Sequence, residues 1–156
     1  MLTAKDIMSK ELVTVSPETE VGRAASILLD KHVNGLPVVD KKGRLVGIIC
    51  QSDLVAQQKR LPMPSVFTLL DTFIPLNSSK NFEKEINKIA ATTVAQAMTV
   101  DPITVGPETS LEKIATLMVE KSFHTIPVLD HGKLIGVIGK EDVLRTLMPS
   151  SAEHAD

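Results

Sequence analysis

Aromatic residues are scarce in this chain of 156 residues, which contains no tryptophan, no tyrosine and only four phenylalanines. Proteins that bind single-stranded nucleic acid stack the bases on aromatic side chains, so this composition argues against that class. Positive charge is not in excess either, because 17 Lys and Arg residues stand against 19 Asp and Glu residues. Binding to phosphate backbones depends on clustered positive charge. The composition therefore predicts no nucleic-acid partner.

Cysteine is also nearly absent, with Cys50 as the only one. One cysteine allows neither an intramolecular disulfide nor a cysteine-based metal cluster, which suits a reducing compartment. No apolar run approaches the ~20 residues of a membrane span, and the first residues lack the apolar core of a signal peptide. The four histidines are not spaced with carboxylates as a metal site requires. We expect a cytoplasmic protein with no membrane partner and no metal.

What the sequence does contain is an internal repeat. Val-Thr-Val-Ser-Pro-Glu-Thr at positions 13–19 returns as Ile-Thr-Val-Gly-Pro-Glu-Thr at 103–109, and Leu-Pro-Val-Val-Asp at 36–40 returns as Ile-Pro-Val-Leu-Asp at 126–130. The offset is 90 residues as far as position 40 and 89 beyond it, because the next turn is one residue shorter in the second copy. A repeat of this length indicates two copies of one structural unit.

Each copy carries the signals of five elements in the order β-α-β-β-α. A short strand, residues 13–15 in the first copy, precedes a helix, and a hairpin of two apolar strands follows. An aspartate, Asp53 or Asp142, comes directly after the hairpin, where a second helix begins. One copy has too little core to be stable alone. We therefore expect an α/β (α+β) fold in which two three-stranded units pack about a pseudo-twofold axis.

The segment between the copies has no counterpart in either of them. Residues 61–93 contain three of the four phenylalanines, whereas a linker used only for reach would be rich in Gly, Ser or Pro. We expect a largely helical insertion here, between copies at residues 1–60 and 94–149. The insertion is either a packed cap on the core or a surface for a partner or a dimer. Residues 150–156 are expected to form a flexible tail.

The duplicated motifs resemble the cystathionine-β-synthase domain, or CBS domain, in the tandem arrangement called a Bateman module. The likeness covers nearly the whole chain outside the insertion. It depends on the two proline-containing runs and on residues 47–53 and 136–142, each found twice in the correct order. The resemblance implies a stand-alone regulatory protein that binds AMP, ADP or ATP, or else S-adenosylmethionine, in two clefts between the repeats. It also implies a homodimer, a separate regulated protein and no required cofactor.

The resemblance further implies which residues hold the nucleotide. Asp53 and Asp142 would accept hydrogen bonds from the ribose hydroxyls of their respective clefts. Apolar residues at the strand ends and before the proline strands would contact the base: Ile48, Val137, Val33 and Phe123. The phosphate would meet backbone and polar groups, with one residue of the opposite repeat: Asn34, Gly35 and Val100 in the Asp53 cleft, and His124, Thr125 and Lys10 in the Asp142 cleft. The second set suits an anion better, so we expect the Asp142 cleft to be functional if only one is.

Two departures from the family pattern leave an alternative open. The family usually has Thr or Ser three residues before the aspartate, where this sequence has Cys50 and Gly139. Each aspartate could also serve only to cap its own helix. The chain would then be a ligand-free structural or interaction module that acts through its dimer and insertion surfaces. An enzyme is not expected, because no Walker A loop, dinucleotide fingerprint, zinc motif or nucleophile elbow is present.

Overall fold

The computed structural model of the protein describes residues 1–58 and 90–148. Most of the predicted insertion at 61–93 and all of the predicted tail at 150–156 lie outside the described residues. In the part of the chain that is described, no helix combines the length and the hydrophobicity of a membrane span.

The described elements follow the same order in both halves of the chain. The first half contains α1 (Ala4–Ile7), α2 (Val21–Lys31), β1 (Gly35–Val39), β2 (Leu45–Cys50) and α3 (Gln51–Gln58). The second half contains α4 (Val94–Ala97), β3 (Thr99–Val100), α5 (Leu111–Lys121), β4 (Thr125–Asp130), β5 (Lys133–Gly139) and α6 (Lys140–Arg145). This mixture of helices and antiparallel strands confirms the predicted α+β class.

Both predicted hairpins are confirmed. β1 pairs with β2 in an antiparallel register that begins with Gly35 opposite Cys50, and β4 pairs with β5 from Thr125 opposite Gly139. A glycine with a φ of 80° lies in each turn, at Gly43 and at Gly132. Side chains rarely adopt this left-handed conformation, which is why both turns use glycine.

The predicted opening strand of each repeat is wrong, because it shrinks to a single parallel bridge. Val15 bridges Val38, with the Val15 N–H donating to the Pro37 carbonyl and the Val39 N–H donating to the Val15 carbonyl. A longer run of backbone hydrogen bonds would need the N–H of Pro37 before the bridge and the N–H of Pro17 after it. Proline has no N–H, so the pairing stops at one bridge. The same pattern surrounds the bridge between Val105 and Val128 in the second repeat.

The third strand of the first sheet comes from the other repeat. β3 pairs antiparallel with β2, placing Val100 opposite Gly47 and Thr99 opposite Ile48. In the second repeat, Ser9 forms an antiparallel bridge with Val137. We call residues 3–10 and 93–100 the crossing segments, because each lies at the start of one repeat and pairs with the hairpin of the other. This reciprocal exchange corrects the prediction that each copy builds its own three-stranded sheet, and it suits the predicted pseudo-twofold arrangement.

The two hydrophobic cores show the same exchange. Val94 of α4 is fully buried in the first core, with Leu28, Leu36 and Ile49. Ala4 of α1 is fully buried in the second core, among Ile114, Ile126, Val128 and Ile138. Each core therefore contains residues of the crossing segment that leads into the other repeat, so burial of apolar surface couples the two repeats.

A methionine of each crossing segment packs against a strand glycine. A β-carbon built on Gly47 would lie 2.6 Å from the Met98 Sδ and 2.9 Å from the Thr99 carbonyl oxygen, and one on Gly136 would lie 2.3 Å from the Met8 Sδ. Real β-carbons do not approach other atoms this closely. The crossing segments can reach the hairpins only because these two positions have no side chain.

We expect Gly47→Ala to lower the free energy of unfolding by about 1–3 kcal/mol, because the Thr99 backbone cannot move away without breaking the pairing of β3. Urea unfolding followed by circular dichroism measures the change. Gly106→Ala is the matched control, since a β-carbon there meets nothing closer than 4.0 Å, and it should change the free energy by less than about 0.5 kcal/mol. Equal effects of the two substitutions would contradict the close contact.

Candidate functional site

The two aspartates occupy equivalent strand-to-helix corners. α3 begins at the residue after β2, and α6 begins at the residue after β5, so no loop separates strand from helix. Asp53 Oδ2 accepts a hydrogen bond from the Cys50 N–H at 2.8 Å, and Asp142 Oδ2 accepts one from the Gly139 N–H at 2.7 Å. Each carboxylate is thereby fixed by the first free N–H of its helix, as in a capping box.

The second oxygen of each carboxylate has a different partner. The Thr99 hydroxyl of the crossing segment donates to Asp53 Oδ1 at 3.2 Å. Arg145 of the same helix donates to Asp142 Oδ1 and forms an ion pair with it. A carboxylate has about four lone-pair positions, so both aspartates keep acceptor capacity for a further donor. The helix-capping alternative is thus compatible with ligand binding, because capping uses only part of that capacity.

The beginnings of β1 and β4 approach each other at the interface between the repeats. A β-carbon built on Gly35 would lie 3.0 Å from the Thr125 Oγ1 and 3.0 Å from the Cys50 Sγ. The two hairpins thus meet at the interface between the repeats. Two cavities at this interface are lined by residues of both repeats. We name the two cavities after the aspartate that lines each.

The Asp142 cavity has a volume of about 500 Å³ and is lined by both repeats. The predicted site residues in its lining are Asp142, Val137 and Thr125 of the second repeat, and Val33, Asn34 and Gly35 of the first. Residues that the sequence analysis did not select also line it: Ser9, Glu11, Lys31, His32, Glu141 and Arg145.

The Asp53 cavity has a volume of about 640 Å³ and is likewise lined by both repeats. The predicted site residues in its lining are Asp53, Ile48 and Asn34 of the first repeat, and Phe123 and His124 of the second. Its additional lining residues include Gln51, Ser52, Thr99 and Lys140. Asn34 reaches both cavities.

The structure corrects the predicted grouping of the polar residues. His124 lines the Asp53 cavity instead of the Asp142 cavity, whereas Gly35 lines the Asp142 cavity instead of the Asp53 cavity. The reason is that the backbone before each proline strand is bonded to its own corner. The Gln51 N–H donates to the Asn34 carbonyl at 2.9 Å, and the Lys140 N–H donates to the His124 carbonyl at 3.0 Å. With the backbone held in this way, His124 lines the cavity of the opposite repeat's aspartate, and Asn34 lines both cavities.

Lys10 and Val100, predicted to face the clefts from the crossing segments, line neither cavity. Their sequence neighbours do: Ser9 and Glu11 line the Asp142 cavity, and Thr99 lines the Asp53 cavity. Side chains alternate along extended backbone, so the face towards each cavity takes every second residue. The alternation is readable in the sequence, but which of the two faces points inward depends on pairing with the other repeat.

Among the residues with described positions, no cluster of three or more His, Cys, Asp or Glu could hold a metal ion.

The environment of Cys50 suppresses its reactivity. Burial, assisted by the negative charge of Asp53, raises the pKa of the thiol to about 12. A thiol with this pKa remains protonated at physiological pH, and the protonated form is neither a nucleophile nor a metal ligand. Cys50 therefore contributes a small, weakly polar surface to the Asp53 cavity.

We expect Cys50 of the folded protein to react with Ellman's reagent at pH 8 at least about tenfold more slowly than that of the unfolded protein. The thiolate is the reactive form, and its fraction grows as the pH approaches the pKa of the thiol. The unfolded thiol has the lower pKa, so a larger fraction of it is thiolate at pH 8. Absorbance of the released thionitrobenzoate gives both rates, and guanidinium supplies the unfolded control. The reading is unambiguous because Cys50 is the only cysteine. Equal rates in the two states would contradict the described burial.

Comparison with known proteins decides the family. The model of the CBS domain matches residues 4–59 and 94–149. The chain belongs to the CBS domain family. The resemblance inferred from the duplicated motifs is confirmed, with one match to each repeat.

Individual CBS proteins resemble this chain over nearly its whole length. It is 34% identical over 162 residues to the chloroplastic CBS domain-containing protein CBSX2 of Arabidopsis thaliana, covering 97% of this chain and 66% of the relative. The chain thus spans slightly less than two thirds of that relative. The crystal structure of CBSX2 in complex with AMP has a TM-score of 0.70 at 33% identity, covering 94% of this chain and 96% of that one.

A second solved structure has a different ligand. The CBS domain pair of protein MJ0100, in complex with 5′-methylthioadenosine and S-adenosylmethionine, has a TM-score of 0.67 at 25% identity. The coverage is 94% of this chain and 96% of the MJ0100 chain. Structurally similar CBS pairs thus bind adenosine derivatives both with and without a phosphate.

Proposed function

We propose that this CBS pair is a regulatory protein that binds adenine nucleotides in the two cavities between its repeats. One observation carries the proposal: each cavity combines an aspartate of one repeat with an apolar side chain of the other. Asp142 shares its cavity with Val33, and Asp53 shares its cavity with Phe123. A ligand that has a sugar diol at one end and a flat apolar base at the other matches this arrangement.

The chemistry of each cavity suits adenosine. A carboxylate can accept hydrogen bonds from both hydroxyls of the ribose, and the capping N–H holds it in place for this role. The apolar pairs predicted to contact the base come together across the repeats, as Val137 with Val33 and as Ile48 with Phe123. Volumes of about 500 and 640 Å³ lie within the range of small-molecule sites.

Regulation follows from the position of the cavities between the repeats. A nucleotide that touches both repeats binds one relative orientation more tightly than others, and this difference shifts the population of orientations. The crossing segments transmit such a shift because each contributes to the core of one repeat and leads into the other. The proposed output is a change in a homodimer or in a separate regulated protein in the cytoplasm. In this proposal the protein is not an enzyme and requires no cofactor.

The proposed ligands are AMP, ADP, ATP and S-adenosylmethionine. The complex of CBSX2 with AMP supports the nucleotides, and the complex of MJ0100 supports S-adenosylmethionine. For this chain we expect dissociation constants in the micromolar range, which correspond to about −8 kcal/mol. Solution titration with the four compounds identifies the preferred one.

We expect Asp53→Asn and Asp142→Asn each to weaken one nucleotide site by about tenfold or more, measured by isothermal titration calorimetry. Asparagine keeps an oxygen for the capping N–H but loses the charge that strengthens the hydrogen bonds to the ribose. Asp40→Asn is the control, because Asp40 is a turn carboxylate that lines neither cavity. Flat titrations of the unmodified protein with all four ligands would defeat the proposal.

A second candidate function is a ligand-free structural or interaction module. It is favoured by the Asp142 carboxylate, because partners within its own corner already bind both oxygens. Cys50 and Gly139 also lack the hydroxyl that the resemblance to the family led us to expect three residues before each aspartate. This module would act through its dimer surface and through the insertion at residues 61–93. Sedimentation would then show the same assembly for the unmodified protein and for Asp142→Asn, with and without nucleotide.

A further inference from the structure

The regrouping of the site residues changes the charges that each cavity offers to a ligand. Lys140 is the only lysine or arginine among the described residues that line the Asp53 cavity, and Asp53 is the only carboxylate. Lys140 forms no ion pair with any residue in the described part of the chain. The backbone N–H of Lys140 donates to the backbone carbonyl of His124, and both residues line this cavity. An anion entering here meets a positive charge that no carboxylate of the described residues pairs with.

The cations of the Asp142 cavity are already paired. Lys31 Nζ lies 3.9 Å from Glu11 Oε1, and Arg145 is bound to the Asp142 carboxylate. Glu141 adds a carboxylate that has no ion pair within the described residues. With histidine neutral, the described lining thus has two positive and three negative groups.

This difference in charge acts directly on a phosphate. A phosphate monoester has a charge of about −1.5 to −2 at pH 7. The Debye length in physiological salt is about 8 Å, so charges that line one cavity of about 500 or 640 Å³ are incompletely screened from a ligand inside it. Negative groups that line a cavity oppose the binding of a phosphate there, and a positive group that has no partner favours it.

We infer that the two cavities select different adenosine ligands. The Asp53 cavity prefers the phosphorylated nucleotide, with Lys140 and His124 as the groups that recognise the phosphate. The Asp142 cavity prefers an adenosine ligand without net negative charge, such as adenosine itself or S-adenosylmethionine, whose sulfonium and ammonium outweigh its carboxylate. The inference depends on the proposed function for ligand binding as such, but it reverses the expectation that the Asp142 cleft is the better site for a phosphate.

Calorimetric titration of the full chain with AMP, adenosine and S-adenosylmethionine tests the inference. The tighter AMP site should disappear in Asp53→Asn and persist in Asp142→Asn, and the tighter S-adenosylmethionine site should show the opposite pattern. Lys140→Gln should weaken AMP about threefold to fivefold, as expected for a solvent-exposed charge pair, and leave the affinity for adenosine unchanged. Added salt should weaken AMP more than adenosine.

Lys133→Gln is the matched control, because Lys133 is an exposed lysine of the same repeat, at the start of β5, and lines neither cavity. It should leave all three affinities unchanged. Loss of the tighter AMP site in Asp142→Asn, or an equal loss of AMP and adenosine affinity in Lys140→Gln with an unchanged melting temperature, would overturn the inference alone. Absence of binding by any ligand to the unmodified protein would overturn the proposed function and this inference together.

Discussion

Each hydrophobic core of this protein depends on a segment that leads into the other repeat. Val94 is buried among residues of the first repeat, and Ala4 among residues of the second. Separation of the repeats would pull each of these side chains out of the core that buries it. Apolar surface of both cores would then be exposed to water at the same time, which is unfavourable. Both cavities lie where the repeats meet, so their shape depends on the same packing between the repeats. A change in the relative orientation of the repeats would alter the cavities and the cores together.

The strand-to-helix corner explains how one aspartate can stabilise the fold and remain available to a ligand. The capping N–H, of Cys50 or Gly139, uses one lone pair of each carboxylate and holds the side chain in a single orientation. A preorganised acceptor loses little conformational entropy when a ligand arrives. The partner of the other oxygen distinguishes the corners, because a neutral hydroxyl binds Asp53 and a guanidinium binds Asp142. Two copies of one motif have thus acquired different electrostatic surroundings.

Features that depend on neighbouring residues were predictable from the sequence. The hairpins, their glycine turns, the helices α2, α3, α5 and α6 and the position of both aspartates appear where local patterns indicate them, whereas the short helices α1 and α4 were not predicted. The sequence also contains the reason why the opening strand is reduced to a bridge at Val15, because the N–H groups that would extend it belong to Pro17 and Pro37, and proline has none. The described residues include only 90–93 of the insertion predicted at 61–93, so its largely helical character stays a prediction.

The sequence by itself determined the duplication, the succession of helix, hairpin and helix in each repeat, the family and the acidic corners, because each of these shows in short stretches of chain. Only the tertiary structure decided which residues meet across the interface. His124 faces Asp53, Val33 faces Asp142, and Thr99 replaces Val100 in the lining of a cavity. Such contacts join residues that are far apart in the chain, and they depend on the pairing of crossing segments with the opposite hairpin. A shift of one residue in that pairing would exchange the inward and outward side chains, and no local pattern specifies it.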